Sequence, residues 1–365
     1  MQNKRVLIIG YYAKNLGDDL LFKTLISRYS NCDFDLFCFD YNRNVNHYYS
    51  LFRVYNINVL YLNSLKLFFY KIYRKITART FDCPFCNVDL RSYEAIIYIG
   101  GSIFQENGHI LEKISECLNQ NENIYILGCS FGPYKSKKFL FESQKILAKI
   151  KDICFRDRTS YNLFSNNVNS RVSSDVVFNL PKIDVNKNKR SIGLSVIDLK
   201  RTNGLIQFSQ KYIEHLINIA KEAIKDNYII NLYSFCEGDG DLSVCEYLKH
   251  EIIQNSKNAD VNIINYSDSI DEFLISFCSN SFVIATRFHA IVLSIVNNIP
   301  VYPISYMNKT DNLLLDLNYD GIYLKIQELE NLDLDKNIWP LLKQQKSFQN
   351  SLANEQFMKL DLILR

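Results

Sequence analysis

Short apolar runs alternate along this chain with segments in which apolar residues recur at helical spacing. An apolar run of about four to eight residues bounded by turn signals predicts a buried strand, and apolar residues three and four apart predict an amphipathic helix. The first half predicts strands at 6–10, 34–39, 95–99, 124–127 and 152–155, with helices within 20–29 and at 110–118 and 138–150. Such alternation is typical of a parallel sheet with helices on both faces.

The pattern starts again after a polar stretch at 182–190 that is rich in Lys and Asn. The second half predicts strands at 191–197, 229–234, 261–264, 282–285 and 301–304, and helices at 207–223, 242–253, 270–278 and 290–297. The fold class is therefore α/β, with two Rossmann-like, doubly wound domains.

The polar stretch divides the chain into an N-terminal domain at 1–181 and a C-terminal domain at 190–345. The remaining residues, 346–365, predict a C-terminal helix that packs back on the N-terminal domain. Because ligands of doubly wound folds bind beyond the carboxyl ends of the strands, we expect a cleft between the two domains.

Glycine is scarce, with 12 residues among 365, so the position of each glycine carries information. Half of them lie at or just beyond predicted strand ends of the first domain: Gly10, Gly17, Gly100, Gly101, Gly128 and Gly132. Glycine at a strand end lets the backbone approach a ligand or a neighbouring helix closely. Tight helix–sheet packing explains any one of these turns, but three turns at strand ends together favour a ligand site.

The loop after the first predicted strand contains Asn15, Gly17 and Asp18. It joins a strand to a helix, whose N-terminal N–H groups are available to a ligand. The loop matches neither the dinucleotide-binding fingerprint nor the P-loop. Capping of the helix by Asp18 or Asp19 is the structural alternative.

Charge and hydropathy limit the kinds of partner and the cellular location that we expect for this protein. The chain has 42 Lys and Arg against 39 Asp and Glu, and a net charge of +3 is too small to favour nucleic acid. No uncharged apolar stretch reaches the roughly 18 residues of a membrane span, and the first residues do not resemble a signal peptide. We therefore expect a cytoplasmic protein.

The ten cysteines are scattered, mostly in apolar runs, and we expect reduced thiols in the core. Cys83 and Cys86 form the one close pair. A structural zinc site needs a second pair at ligand spacing, which the sequence lacks, so no metal is expected. Two loop cysteines are the favoured interpretation of the pair, and a redox dithiol is the alternative.

The segment 65–79 is both basic and aromatic. Its lysines and arginines are interleaved with phenylalanine, tyrosine and isoleucine. A helix of this composition can lie at the anionic inner face of a membrane. The favoured interpretation is an ordinary surface helix whose long basic side chains cover apolar surface.

Cationic residues follow predicted strands in both halves. Arg156 follows a strand of the first half, while Arg287 and His289 lie between a strand and an apolar helix of the second. Such residues are costly at a buried junction unless they are paired or used. Arginine offers two parallel donors to phosphate or carboxylate, and histidine offers a proton near neutral pH. With Lys309 expected at the same edge, the set predicts an anion site with a proton-transfer group.

These motifs, in their order, resemble the polysaccharide pyruvyl transferase family. They are Gly10-Tyr11-Tyr12, Asn15-Leu16-Gly17-Asp18, Gly100-Gly101, Gly132-Pro133, Arg156-Asp157, Asp175, Arg287-Phe288-His289-Ala290, and Ser305-Tyr306 with Lys309. The resemblance implies a glycosyltransferase-B-like fold and a reaction in which phosphoenolpyruvate builds a pyruvate ketal on a sugar of a cell-surface polysaccharide or its precursor. The chain departs from the family's usual pattern at Phe288, where leucine is more common.

The resemblance also implies roles for particular residues. Phosphoenolpyruvate binding is expected from Arg156, Arg287, Lys309 and Phe288. We expect His289 to be the general acid, and Asp18 to be a base or to orient the acceptor. The acceptor side is expected to include Asn15, Gly17, Gly100, Gly101 and Gln105.

Phosphoenolpyruvate is then a co-substrate, and neither a cofactor nor a metal is implied. The N-terminal domain is expected to take the acceptor sugar, free or lipid-linked, and the C-terminal domain the donor phosphate. Two other functions are compatible with the fold, which does not decide between them. One is a nucleotide-sugar glycosyltransferase, in which Arg287 and Lys309 would bind a diphosphate, and the other is a non-catalytic glycan-binding relative.

Overall fold

The computed structural model describes residues 3–11, 13–38, 47–48, 57–61, 64–77, 88–106, 108–256, 258–267, 269–334, 336–348 and 355–365. The chain forms two compact units. The first unit comprises Met1–Ala13, Asp18–Asn179 and Leu352–Arg365, and the second unit comprises Lys14–Gly17 and Leu180–Ser351.

The first unit is built on a seven-stranded parallel sheet in the order β3-β2-β1-β4-β5-β6-β7. Its strands are β1 Lys4–Gly10, β2 Cys32–Cys38, β3 Ile57–Tyr61, β4 Ala95–Ile99, β5 Ile124–Cys129, β6 Asp152–Phe155 and β7 Ser170–Val172. The helices that follow these strands are Leu16–Arg28, Ser64–Thr77, Ile110–Leu118, Lys137–Leu147 and Arg158–Asn162, and Met358–Leu364 ends the chain. Every residue of β4, β5 and β6 is buried, as expected for central strands covered on both faces.

The second unit repeats this construction with a six-stranded parallel sheet in the order β10-β9-β8-β11-β12-β13. Its strands are β8 Asn188–Ser195, β9 Ile229–Ser234, β10 Val261–Asn265, β11 Asn280–Ala285, β12 Val301–Ser305 and β13 Leu324–Lys325. Its helices are Ser209–Lys225, Asp241–Asn255, Ile270–Cys278, Phe288–Val296, Asn308–Asp316 and Trp339–Leu342. Parallel strands place all their carboxyl ends at one edge, so the loops that follow them lie together.

The structure confirms every strand that the hydrophobic pattern predicted, and several bounds agree to the residue. The hydrophobic pattern did not predict β3, β7 and β13, nor the helices Arg158–Asn162, Asn308–Asp316 and Trp339–Leu342. The strands β7 and β13 are only three and two residues long, so they give no clear apolar run. Two of the helices are only five and four residues long, and Asn308–Asp316 begins with polar residues.

The cysteines in the described part of the chain agree with the predicted reduced core thiols. Seven are free and buried: Cys32, Cys117, Cys129, Cys154, Cys236, Cys245 and Cys278. Cys83 and Cys86 lie outside the described residues. Within the described ranges, no helix has both the length and the apolar character needed to cross a membrane.

The C-terminal residues belong to the first unit and hold strand ends together. Gln356 is fully buried, and its Oε1 accepts a hydrogen bond from the N–H of Gly128 at 2.9 Å. Its Nε2 donates to the carbonyls of Phe155 and Ser174 at 3.3 and 2.8 Å. One amide side chain therefore joins backbone groups at the carboxyl ends of β5 and β6 and in the segment after β7.

Replacing Gln356 by leucine should destabilise the first unit by about 2–4 kcal/mol, because it leaves the buried N–H of Gly128 and the carbonyl of Ser174 without this partner. Urea unfolding followed by circular dichroism measures the change. The control is Gln344→Leu, an exposed glutamine bonded to the Pro340 carbonyl, which should stay within about 0.5 kcal/mol of wild type. Equal midpoints for both variants would contradict the role given to Gln356.

Candidate functional site

Arg287 is the residue before the helix Phe288–Val296, at the carboxyl end of β11. Its Nε donates to Asp241 Oδ2 at 2.9 Å, and its Nη2 donates to the other oxygen of the same carboxylate. Its Nη1 donates to Asp239 Oδ2 at 2.9 Å. Two parallel hydrogen bonds to one carboxylate fix both the position and the plane of the guanidinium.

Asp241 connects this arginine to the end of β9. Its Oδ2 also accepts the N–H groups of Phe235 and Cys236, each at 3.1 Å. Burial raises the pKa of Asp241, although Arg287 acts in the opposite direction. Burial lowers the pKa of Arg287, but Asp241 and Asp239 more than reverse this effect, so the pKa lies above its ordinary value. The partly exposed guanidinium is therefore a permanent cation whose charge is already balanced.

His289 lies in the first turn of the helix Phe288–Val296 and against Gly17. A Cβ placed on Gly17 would be 2.2 Å from His289 Nδ1 and 2.9 Å from its Cε1. Both residues belong to the second unit. A side chain at position 17 is thus incompatible with this position of the imidazole.

Two hydrogen bonds fix the loop that carries Gly17. Asn15 Oδ1 accepts from the N–H of Gly17 at 2.9 Å and caps the helix Leu16–Arg28. The N–H of Leu16 donates to the carbonyl of Phe235 at 3.1 Å. Since Phe235 is held in turn by Asp241, the ion pair and the loop beside the imidazole form one connected structure.

Lys309 lies in the first turn of the helix Asn308–Asp316, which follows β12. Its Nζ is 5.7 Å from the centre of the Phe288 ring, within the range of a cation–π interaction. The Phe288 ring meets the His289 imidazole edge to face, with centroids 5.1 Å apart. The second unit therefore brings Arg287, Phe288, His289 and Lys309 together, although the helix that carries Lys309 was not predicted.

The sequence did not predict several other polar groups at the carboxyl edge of the second unit's sheet. Ser195 and Ser234 end β8 and β9, and in the described part of the chain their buried hydroxyl oxygens make no hydrogen bond. The helices Phe288–Val296 and Asn308–Asp316 begin without a capping bond from the side chain of the preceding residue. Asp239 and Asp241 were missed too, although two scarce glycines, at 238 and 240, accompany them after a predicted strand.

A separate cluster in the first unit surrounds Arg156. Its Nη1 donates to Asp175 Oδ2 at 3.1 Å, and its Nε donates to Ser130 Oγ at 2.9 Å. Both charged side chains are almost completely buried. A Cβ on Gly101 would be 2.6 Å from Arg156 Nη1, so this glycine leaves space for the guanidinium. The predicted Gly101 and Arg156 are therefore in contact.

The remaining predicted site residues of the first unit lie on loops and at a helix start. Gln105 is exposed after β4 and donates to the carbonyl of Ser102 at 3.2 Å. Asp18 is half-buried in the first turn of Leu16–Arg28. Its neighbour Asp19 is fully buried, where His47 Nε2 and the Tyr48 hydroxyl each approach its carboxylate at 3.0 Å. The described residues contain no group of three His, Cys, Asp or Glu side chains arranged to hold a metal ion.

Comparison with solved structures gives the fold. Anabaena HepE, solved with UDP and glucose, is 12% identical with a TM-score of 0.53, covering 99% of each chain. S. aureus MnaA, solved with UDP, is 10% identical with a TM-score of 0.55, covering 100% of this chain and 98% of its own. The UDP-GlcNAc 2-epimerase of Methanocaldococcus jannaschii is 11% identical with a TM-score of 0.52, covering 98% of this chain and 99% of its own. The chain has the glycosyltransferase-B-like fold that the resemblance of its motifs implied.

Comparison with curated protein sequences gave no match. The sequence model of the polysaccharide pyruvyl transferase family, in contrast, matches residues 15–308. This range begins at the Asn15 loop and ends beyond β12, and it contains Arg156, Arg287 and His289. As the resemblance of the motifs predicted, the chain belongs to the polysaccharide pyruvyl transferase family.

Proposed function

We propose that this protein transfers the pyruvyl group of phosphoenolpyruvate to a sugar of a cell-surface polysaccharide or its precursor. The product is a pyruvate ketal, and inorganic phosphate is released. The family match over residues 15–308 carries the proposal. The second unit supports it, because a histidine, a lysine and two helix starts without side-chain caps lie at the carboxyl edge of one sheet.

The reaction needs one proton donor and groups that stabilise the carboxylate and the phosphate of phosphoenolpyruvate. One sugar hydroxyl adds to C2 of phosphoenolpyruvate as C3 gains a proton, and a second hydroxyl then displaces phosphate from C2. We assign protonation of C3 to His289, since imidazole exchanges a proton near neutral pH. Lys309 and the first N–H groups of its helix provide positive charge for the departing phosphate.

The two arginines then act as oriented donors. Three of the five N–H groups of Arg287 go to Asp241 and Asp239, and the Tyr306 hydroxyl also accepts a hydrogen bond from the guanidinium. We propose that Arg287 and Phe288 contact phosphoenolpyruvate, with Arg156 as a further anchor. Because carboxylates balance both arginines, the arginines contribute the direction of their hydrogen bonds more than net charge.

On the acceptor side, we assign Asn15, Asp18 and Gln105 to the sugar. Asp18 is the base or orienting group, and Gly100 lets the backbone approach the acceptor. Gly17 and Gly101 act through the space they leave for His289 and Arg156.

Phosphoenolpyruvate should raise the melting temperature of the protein, and UDP-sugars should not, because only the proposed donor binds the folded state. Differential scanning fluorimetry measures the shift. With an acceptor glycan added, phosphate should appear and the glycan mass should rise by roughly 70 Da, the gain from a pyruvate ketal. Stabilisation by a UDP-sugar alone would favour a glycosyltransferase, and stabilisation by glycan alone would favour a binding protein.

Replacing His289 by glutamine should lower kcat by at least about 100-fold, because the proton donor is lost. Phosphate release in the presence of acceptor measures the rate. The control is His250→Gln, an exposed histidine of the same unit, which should keep wild-type kcat. Full turnover by the His289 variant, at an unchanged melting temperature, would remove this residue from the mechanism.

Gly17→Ala should reduce kcat/KM by about 10- to 100-fold, because the new methyl group displaces the imidazole. In a His289→Ala background the same substitution should have no further effect, which a double-mutant cycle measures. The control is Gly238→Ala, where a Cβ would be 3.9 Å from its nearest neighbour, Cys236 Sγ. Additive effects of the two substitutions would show that Gly17 acts independently of His289.

A further inference from the structure

The helix Ser64–Thr77 of the first unit exposes a continuous apolar stripe. Leu65, Phe68, Phe69, Ile72 and Ile76 are each more than 40% exposed, and Ile76 reaches 78%. Their spacing places them on one side of the helix, within an arc of about 100°. Other large exposed hydrophobic side chains in the described ranges are scattered over many elements, so this helix is unusual within the chain.

Basic residues flank the stripe. Lys66 and Lys75 are exposed, and helical spacing places one on each side of it. The sequence from 41 to 81 contains no Asp or Glu and seven Lys or Arg, whereas the whole chain has an excess of only three basic residues. The stripe therefore lies within a strongly cationic part of the chain.

We propose that the helix Ser64–Thr77 docks the protein on an anionic lipid surface. The stripe enters the boundary between headgroups and acyl chains, and the lysines on either side contact anionic headgroups. With 14 residues, the helix is about 21 Å long and lies in the plane of the surface rather than across the bilayer.

The charge distribution favours lipid over a second copy of this chain. Two copies joined through the stripe would bring their flanking lysines together without a carboxylate on either helix. An anionic bilayer supplies both an apolar layer and the opposite charge. This inference does not rest on the proposed function, because docking needs neither phosphoenolpyruvate nor acceptor.

Flotation of the full-length protein with vesicles tests the proposal. It should bind vesicles of phosphatidylcholine with about 30% phosphatidylglycerol at least tenfold more tightly than phosphatidylcholine alone, and salt at about 0.5 M should weaken binding. Equal binding to both vesicles, or no binding, would overturn the proposal. A dimer in solution that Phe68→Ser converts to monomer would overturn it in favour of self-association.

Two variants separate the apolar and ionic contributions. Phe68→Ser with Ile72→Ser, and Lys66→Glu with Lys75→Glu, should each reduce vesicle binding at least tenfold. Both pairs are exposed, so the melting temperature should stay close to wild type. The matched control is Phe141→Ser, an exposed phenylalanine beside Lys145 on another basic helix, which should bind as wild type. Wild-type binding by either variant pair would show that this helix is not the docking surface.

Discussion

The bidentate pair between Arg287 and Asp241 holds together the part of the second unit that surrounds His289. Asp241 accepts the N–H groups at the end of β9, and the carbonyl of Phe235 in that segment accepts from Leu16. The glycine after Leu16 packs against the imidazole. Because Asp241 is fully buried, removal of Arg287 leaves its carboxylate uncompensated, at a cost of about 3–5 kcal/mol. The position of the histidine therefore depends on an ion pair that it does not join.

The first unit uses the same construction at the carboxyl edge of its own sheet. Arg156 follows β6 as Arg287 follows β11, and Asp175 balances it as Asp241 balances Arg287. These ion pairs reduce the net positive charge that the two arginines offer to a substrate. A guanidinium already held by carboxylates recognises an anion through the direction of its remaining donors more than through net charge.

Hydrophobic patterning predicted the central strands because residues buried on both faces form continuous apolar runs. The edge strands β7 and β13 are too short for such a run. Arg287 and His289 could be predicted as a pair because they are neighbours in sequence at one strand–helix junction. Asp241 is 46 residues from Arg287, so only the parallel order of β9, β8 and β11 brings the two together. The sequence could not predict the contact between Gly17 and His289 for the same reason. It did single out Gly17 itself, because glycine is scarce in this chain.

The net charge of +3 is an average over parts of the chain whose local charge differs greatly. Because ions screen charges beyond about 8–10 Å, a surface is recognised by its local charge density rather than by the total. The net charge of the whole chain would, on its own, exclude an anionic partner. It does not describe the segment 41–81, which contains no Asp or Glu. Charge also does not identify that partner, since nucleic acid and anionic lipid attract lysine alike. The apolar stripe on Ser64–Thr77 distinguishes them, because a phosphate backbone offers no apolar layer to leucine, phenylalanine and isoleucine, and a bilayer does.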